Sequence, residues 1–98
     1  MSVKLKLHYE PPFSMLFEKS NEILEFEDEL QLKDLLDKFS EEYGDKFKEL
    51  VWDKKKQDEL NSMLSIIING NSYRDDDFLD KKLKDGDDIS FIYIFFGG

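Results

Sequence analysis

The hydrophobic residues of this chain keep two different periods, and the order in which those periods change leaves few folds open. Val3, Leu5 and Leu7 alternate with Lys4, Lys6 and His8, the period of two of a half-buried strand. Proline cannot donate to a β-ladder, so Pro11-Pro12 ends this strand, and a loop or hairpin connection is expected through Phe13–Lys19. A second strand over Glu22–Glu27 puts Leu24 and Phe26 on one face. The period then changes. Leu32, Leu35, Leu36, Phe39 and Tyr43 fall at spacings of three and four, one apolar stripe of a helix, with Lys33, Asp34, Asp37, Lys38 and Glu41 opposite. Gly44 stands where a left-handed residue closes a helix. No Ser or Thr caps the start, so Asp28 or Gln31 must serve.

Residues 45–62 follow neither period; Phe47, Leu50 and Val51 suggest a short helical turn or strand packed on the core. Lys54-Lys55-Lys56-Gln57-Asp58-Glu59 reads as a solvated loop. Leu64 to Ile68 is a β-branched run, apolar on both faces, as in a central strand. Asn69-Gly70-Asn71 turns the chain, with glycine supplying the positive φ. Residues 72–83 are irregular, with Phe78, Leu79 and Leu83 as core contacts, and Lys84-Asp85-Gly86-Asp87 is a second tight turn. Asp88–Phe96 is the last strand, and it runs directly into Gly97-Gly98. The order β-β-α-β-β describes an α+β chain of β-grasp type. Its mixed sheet has four to five strands, one main helix lies across it, and the first and last strands pair in parallel at the centre. Residues 1–98 fit one such domain, with a flexible diglycine tail.

Charge narrows the partners. Fourteen basic against 23 acidic residues give a net charge of −9, which repels phosphate backbones and anionic lipid, so neither nucleic acid nor a membrane is an expected partner. The acidic surface either keeps the protein soluble or steers it toward a basic partner. The chain contains no cysteine, which excludes disulfides, thiolate zinc sites and a cysteine nucleophile. The N-terminus lacks the apolar stretch of a signal peptide, and no apolar run approaches membrane-spanning length, so a cytoplasmic protein is expected.

The chain end carries the chemistry. Phe96-Gly97-Gly98 leaves a strand with two residues lacking Cβ, so an extended tail can enter a channel too narrow for side chains and leave its carboxylate open to attack. Ile68-Asn69-Gly70, then Leu83-Lys84-Asp85-Gly86-Asp87-Asp88-Ile89-Ser90-Phe91-Ile92, then Gly97-Gly98, resemble the small subunit of molybdopterin synthase and its ubiquitin-like sulfur-carrier relatives, the MoaD/ThiS-like family, which includes the ubiquitin-related and small archaeal modifiers. The resemblance is strongest over residues 63–98 and weak across 10–30. It implies that an E1-like adenylating enzyme uses ATP to activate the Gly98 carboxylate, and that sulfur then displaces AMP to leave a thiocarboxylate. In the molybdopterin branch, the large subunit of the synthase takes that sulfur for pterin cofactor synthesis. In the modifier branch, target-protein lysines take the acyl group. The chain then needs no catalytic residue and no bound cofactor or metal of its own. Molybdopterin-type subunits typically carry a proline before the glycines, whereas Tyr93-Ile94-Phe95-Phe96 stands here, so the tail can continue as strand and the branch stays open. A third reading is a β-grasp interaction module in which the glycines are incidental.

On the last strand, Ile89, Phe91, Tyr93 and Phe95 alternate with Ser90, Ile92, Ile94 and Phe96. One set fills the core, and the other either docks a partner or is covered by the 45–62 insertion. Tyr93, Phe95 and Phe96, next to the activated Gly97 and Gly98, are the expected partner contacts. His8 has no second histidine for a metal site and reads as a solvated strand residue. Asp75-Asp76-Asp77 and Asp85-Gly86-Asp87-Asp88 lack calcium-loop spacing and read as turn formers. Trp52 is a core or interface anchor rather than a binding platform.

Overall fold

The computed structural model describes residues 2–53, 55, 59–72 and 77–93. Strand β1 (Val3–Tyr9) buries every second residue, as its alternation requires. It pairs antiparallel with β2 (Asn21–Phe26), Leu5 opposite Leu24 and Val3 opposite Phe26. Between them the expected loop is a short helix, α1 (Phe13–Phe17), whose Phe13 and Phe17 are buried. Five residues are too few for a helical stripe to show, and the preceding prolines mask it.

A two-residue β3 (Leu30–Gln31) leads into α2 (Leu32–Tyr43). Gln31 is the N-cap. Its side chain accepts from the Asp34 backbone while Asp34 Oδ2 accepts from the Gln31 backbone N–H at 2.9 Å, a reciprocal capping box. Gly44, with φ +70°, ends α2 and at once starts α3 (Asp45–Val51), a bend that side chains with a Cβ resist. Residues 45–51 are therefore helical, with Phe47 and Val51 buried.

The second half of the chain supplies β4 (Leu64–Ile68), β5 (Asn71–Ser72), a 3₁₀ turn (Phe78–Asp80), β6 (Lys82–Leu83) and β7 (Asp88–Tyr93). The β4–β5 turn has positive φ at both Asn69 and Gly70, as a two-residue primed hairpin turn demands. Among the described residues the main sheet has five strands in the order β2-β1-β7-β4-β5, and β3 and β6 form a separate two-stranded ribbon. The first and last strands lie side by side in parallel, with Leu7 opposite Ile89 and Tyr9 opposite Phe91. This is the β-grasp arrangement.

The helices cover one face of this sheet. Leu5, Leu7, Ile66, Ile68, Ile89 and Phe91 from the strands meet Leu32, Leu35, Leu36 and Phe39 of α2, all fully buried or nearly so. Rings run through this core, with Phe17 5.1 Å from Phe39 and Phe39 6.0 Å from Phe91. Phe78 and Leu83 close its lower edge. The clustered aromatics give a 98-residue chain a large payload per residue. Phe39→Ala, at the junction of these rings, is expected to cost about 3–5 kcal/mol in urea unfolding, a large share of the total stability of a small domain.

Candidate functional site

Two features of the central strand define the site: the turn that launches β7 and the contacts that hold its far end. The launching turn is held by side chains as well as backbone. Asp85 Oδ1 accepts from the Lys4 N–H at 2.8 Å, the Gly86 N–H donates to the Lys4 carbonyl at 2.8 Å, and the Lys6 N–H donates to the Asp87 carbonyl at 2.9 Å. Asn69 reaches over from the hairpin turn, its Nδ2 donating to Asp87 Oδ1 at 2.8 Å and its Oδ1 accepting from the Asp88 N–H at 2.9 Å. The acidic run Asp85-Gly86-Asp87-Asp88 is thus consumed in fixing the register of β7, as turn formers are. Among the described residues no three His, Cys, Asp or Glu side chains come together to hold a metal ion.

At the other end of β7 the β1 partner runs out first. The Glu10 N–H still donates to the Phe91 carbonyl at 3.1 Å, and Tyr93 pairs with Leu64 of β4. Here a side chain takes over. The Tyr93 hydroxyl donates to the Leu50 carbonyl and accepts from Asn61 Nδ2 at 3.1 Å. The Tyr93 ring lies 5.4 Å from Phe13, edge to face. Leu50 is in the last turn of α3, where carbonyls have no partner within the helix. Tyr93 satisfies one, and the Asn61 N–H satisfies its neighbour, donating to the Val51 carbonyl at 2.7 Å.

Asn61 is itself held on every side. Its Oδ1 accepts from the Met63 N–H at 2.9 Å and its carbonyl accepts from the Leu64 N–H at 3.0 Å. Trp52, partly buried against the core, bridges to Leu60 next door through its backbone. Sequence reasoning missed Asn61 and Leu50. A backbone carbonyl has no letter in a sequence, and a lone Asn in a polar stretch reads as a loop residue.

Of the residues expected at the site, Tyr93 is therefore fastened inward through its hydroxyl while its ring stays partly exposed. Phe95, Phe96, Gly97 and Gly98 lie outside the described residues, as do Ile94 and Asp75-Asp76. The alternation along β7 resolves as one core face, Ile89 and Phe91 at 0% exposure, and one open face, Ser90 and Ile92, partly exposed. The open face continues across the sheet through Ile67 on β4 and through Lys4, Lys6, His8 and Ile23 on β1 and β2, with Ile23 67% exposed. Among the described residues it is a mixed face, with lysines and a histidine beside isoleucines. On it His8 Nε2 lies 2.8 Å from Asp88 Oδ1, across the parallel pair, both side chains about half exposed. No helix among the described residues is long and apolar enough to cross a membrane.

Likeness to known proteins follows the same lines. The ThiS family model matches residues 13–98. A Haloferax volcanii protein, HVO 2177, superposes with a TM-score of 0.76 at 21% identity, over 99% of this chain and 88% of that one. A candidate molybdopterin converting factor, subunit 1, from Pyrococcus furiosus superposes at 0.68 with 25% identity, over 95% of this chain and 99% of that one. The small archaeal modifier protein 1 of Methanosarcina acetivorans gives 0.71 at 22% identity, over 100% and 99%. None of the curated proteins matches in sequence.

Burial pushes the Tyr93 phenol above its ordinary range. A folded-state value raised above the unfolded one adds stability that is fully present below about pH 10 and drains away as pH rises from there toward the folded value. Urea midpoints at pH 8 and pH 10.5 are expected to fall further for the native chain than for Tyr93→Phe, which has no proton to lose at this position. Equal drops would deny the buried hydroxyl its role.

Proposed function

The chain belongs to the ThiS family, and from that premise we propose that it is a ubiquitin-like sulfur carrier whose working group is the Gly98 carboxylate. The observation that supports this reading most strongly is that the family match runs over residues 13–98 and so includes the terminal diglycine. Carboxylate oxygen attacks the α-phosphate of ATP on an adenylating partner and releases pyrophosphate. A sulfur nucleophile then attacks the carbonyl carbon and expels AMP, leaving a thiocarboxylate. The sulfur rides on carbon, which suits a chain without cysteine. The domain contributes a rigid carrier and a docking surface, and the catalytic groups come from the partners.

The acceptor we favour is the large subunit of a pterin-cofactor synthase. The likeness to the Pyrococcus furiosus protein, at 25% identity over nearly the whole of both chains, supports that choice. The second reading is a protein modifier, in which a target lysine amine attacks the same acyl adenylate and forms an isopeptide bond. The likeness to the Methanosarcina acetivorans modifier keeps it in play. Both readings share the activation step and differ in the nucleophile that follows.

Removal of Gly97 and Gly98 tests the shared step. The truncated chain is expected to stimulate no AMP formation by an adenylating partner. Gly98→Ala is expected to slow it by roughly tenfold, the effect of about 1.4 kcal/mol of misfit in a channel shaped for glycine. Thermal midpoints of both variants should match that of the native chain. A truncated chain that is still adenylated would remove the diglycine from the mechanism, whereas a native chain that is never adenylated and a truncated chain that keeps its partner binding would favour the interaction module.

A further inference from the structure

The two edges of the sheet differ in kind. At one side the outermost strand among the described residues is β5, two residues long and too short to accept another strand. At the other it is β2, which runs six residues in unbroken register with β1. Strand β2 holds no proline, no lysine and no bulge, the devices that keep an edge from pairing. We propose that β2 is a dimerisation edge, which pairs antiparallel with β2 of a second copy of this chain about a two-fold axis at Ile23. The carrier reading is not needed for this, since β1 lies between the edge and β7.

The direction of the free backbone groups comes first. The Tyr9 N–H donates to the Ser20 carbonyl at 2.8 Å, so Ser20, Glu22, Leu24 and Phe26 face the β1 ladder. Asn21, Ile23 and Glu25 therefore turn their N–H and C=O groups outward. Exposure agrees with this. The side chains of these three residues lie on the open face, and Ile23, at the middle of the edge, is 67% exposed.

Self-complementarity then selects the partner. A register centred on Ile23 sets all three outward residues against outward residues, each pair exchanging two backbone hydrogen bonds. Ile23 meets Ile23 of the second copy, and Asn21 meets Glu25, an amide against a carboxylate. No like charges fall directly opposite each other. Glu25 has Lys4 beside it on β1, and Glu22, set against Leu24 of the second copy, is already bound by the Tyr9 hydroxyl at 2.5 Å and Lys19 at 3.3 Å. The product is one ten-stranded sheet, five strands from each copy, with both sets of helices on the same face. A seam of one strand on another is small, so a Kd of roughly 0.1 mM is expected. Two chains of net charge −9 repel at long range, so added salt screens that repulsion and tightens the dimer.

The test is sedimentation equilibrium of the full chain from about 10 μM to about 1 mM, at low and high salt, joined to cross-linking. The chain has no cysteine, so one placed on β2 reports its own distance across the seam. In this register residue 23 lies about 5.5 Å from its copy, within disulfide reach, and residue 21 about 14 Å from its copy, beyond it. Under mild oxidation Ile23→Cys is expected to form a linked dimer at least about tenfold faster than Asn21→Cys. Ile23→Lys, which sets two ammonium groups face to face, should remain a monomer throughout and keep the native thermal midpoint when dilute. A native chain that stays monomeric at the highest concentration would overturn the inference. So would a dimer in which Asn21→Cys links as fast as Ile23→Cys. A monomer whose adenylation is lost in Ile23→Lys would give this edge to the adenylating partner, and that too would overturn it.

Discussion

The parallel pairing of the first and last strands is the constraint on which the rest of this structure depends. Parallel neighbours cannot be joined by a tight turn, so everything between β1 and β7 must be a crossover that returns to the starting edge. Here that crossover is most of the protein. It carries the helices over one face of the sheet and brings β4 to the far side of β7. Backbone from both ends of the chain then shares one ladder, with Lys6 opposite Asp88 and Tyr9 opposite Phe91. The turn before β7 sets that register through Asp85, Gly86 and Asp87 on Lys4 and Lys6, and Asn69 locks it from the β4–β5 turn. A slip of one residue would turn Ile89 and Phe91 out of the core and put Asp88 and Ser90 in.

That topology separates stability from function. The strand placed at the centre of the sheet is also the one that precedes Gly97-Gly98. Its first half pairs with β1 and β4, and at its far end Tyr93 pairs with Leu64 of β4 and adds the contacts of its hydroxyl. The domain built around that strand has one sheet face covered by helices and one open face. Its open face mixes Lys4, Lys6 and His8 with Ile23, Ile67 and Ile92, and its net charge of −9 suits approach to a basic surface.

The sequence carried much of this openly. Alternation marks β1 because one face is buried and the other solvated, and spacings of three and four mark α2 because its stripe lies on the sheet. Asn69-Gly70 marks a hairpin because both positions take positive φ, which those two residues tolerate best. What stayed hidden is short or tertiary. Helix α1 is five residues long and α3 seven, and neither completes enough turns to impose a period. Gly44 serves the end of one helix and the start of the next, a dual role that spacing alone does not reveal. The cap at Gln31 works through a box with Asp34, an unusual pairing for a rule built on Ser and Thr. Tyr93 was legible as a residue next to the tail. Its anchoring was not, because one partner is a main-chain carbonyl and the other lies 32 positions away.

The most direct test of the account is the intact mass of the chain after incubation with ATP, a sulfur donor and an adenylating partner. The account predicts a gain matching one oxygen exchanged for sulfur, mapped by fragmentation to Gly98. A chain that returns with its mass unchanged, and with no AMP formed, would contradict it and leave the terminal glycines without a function.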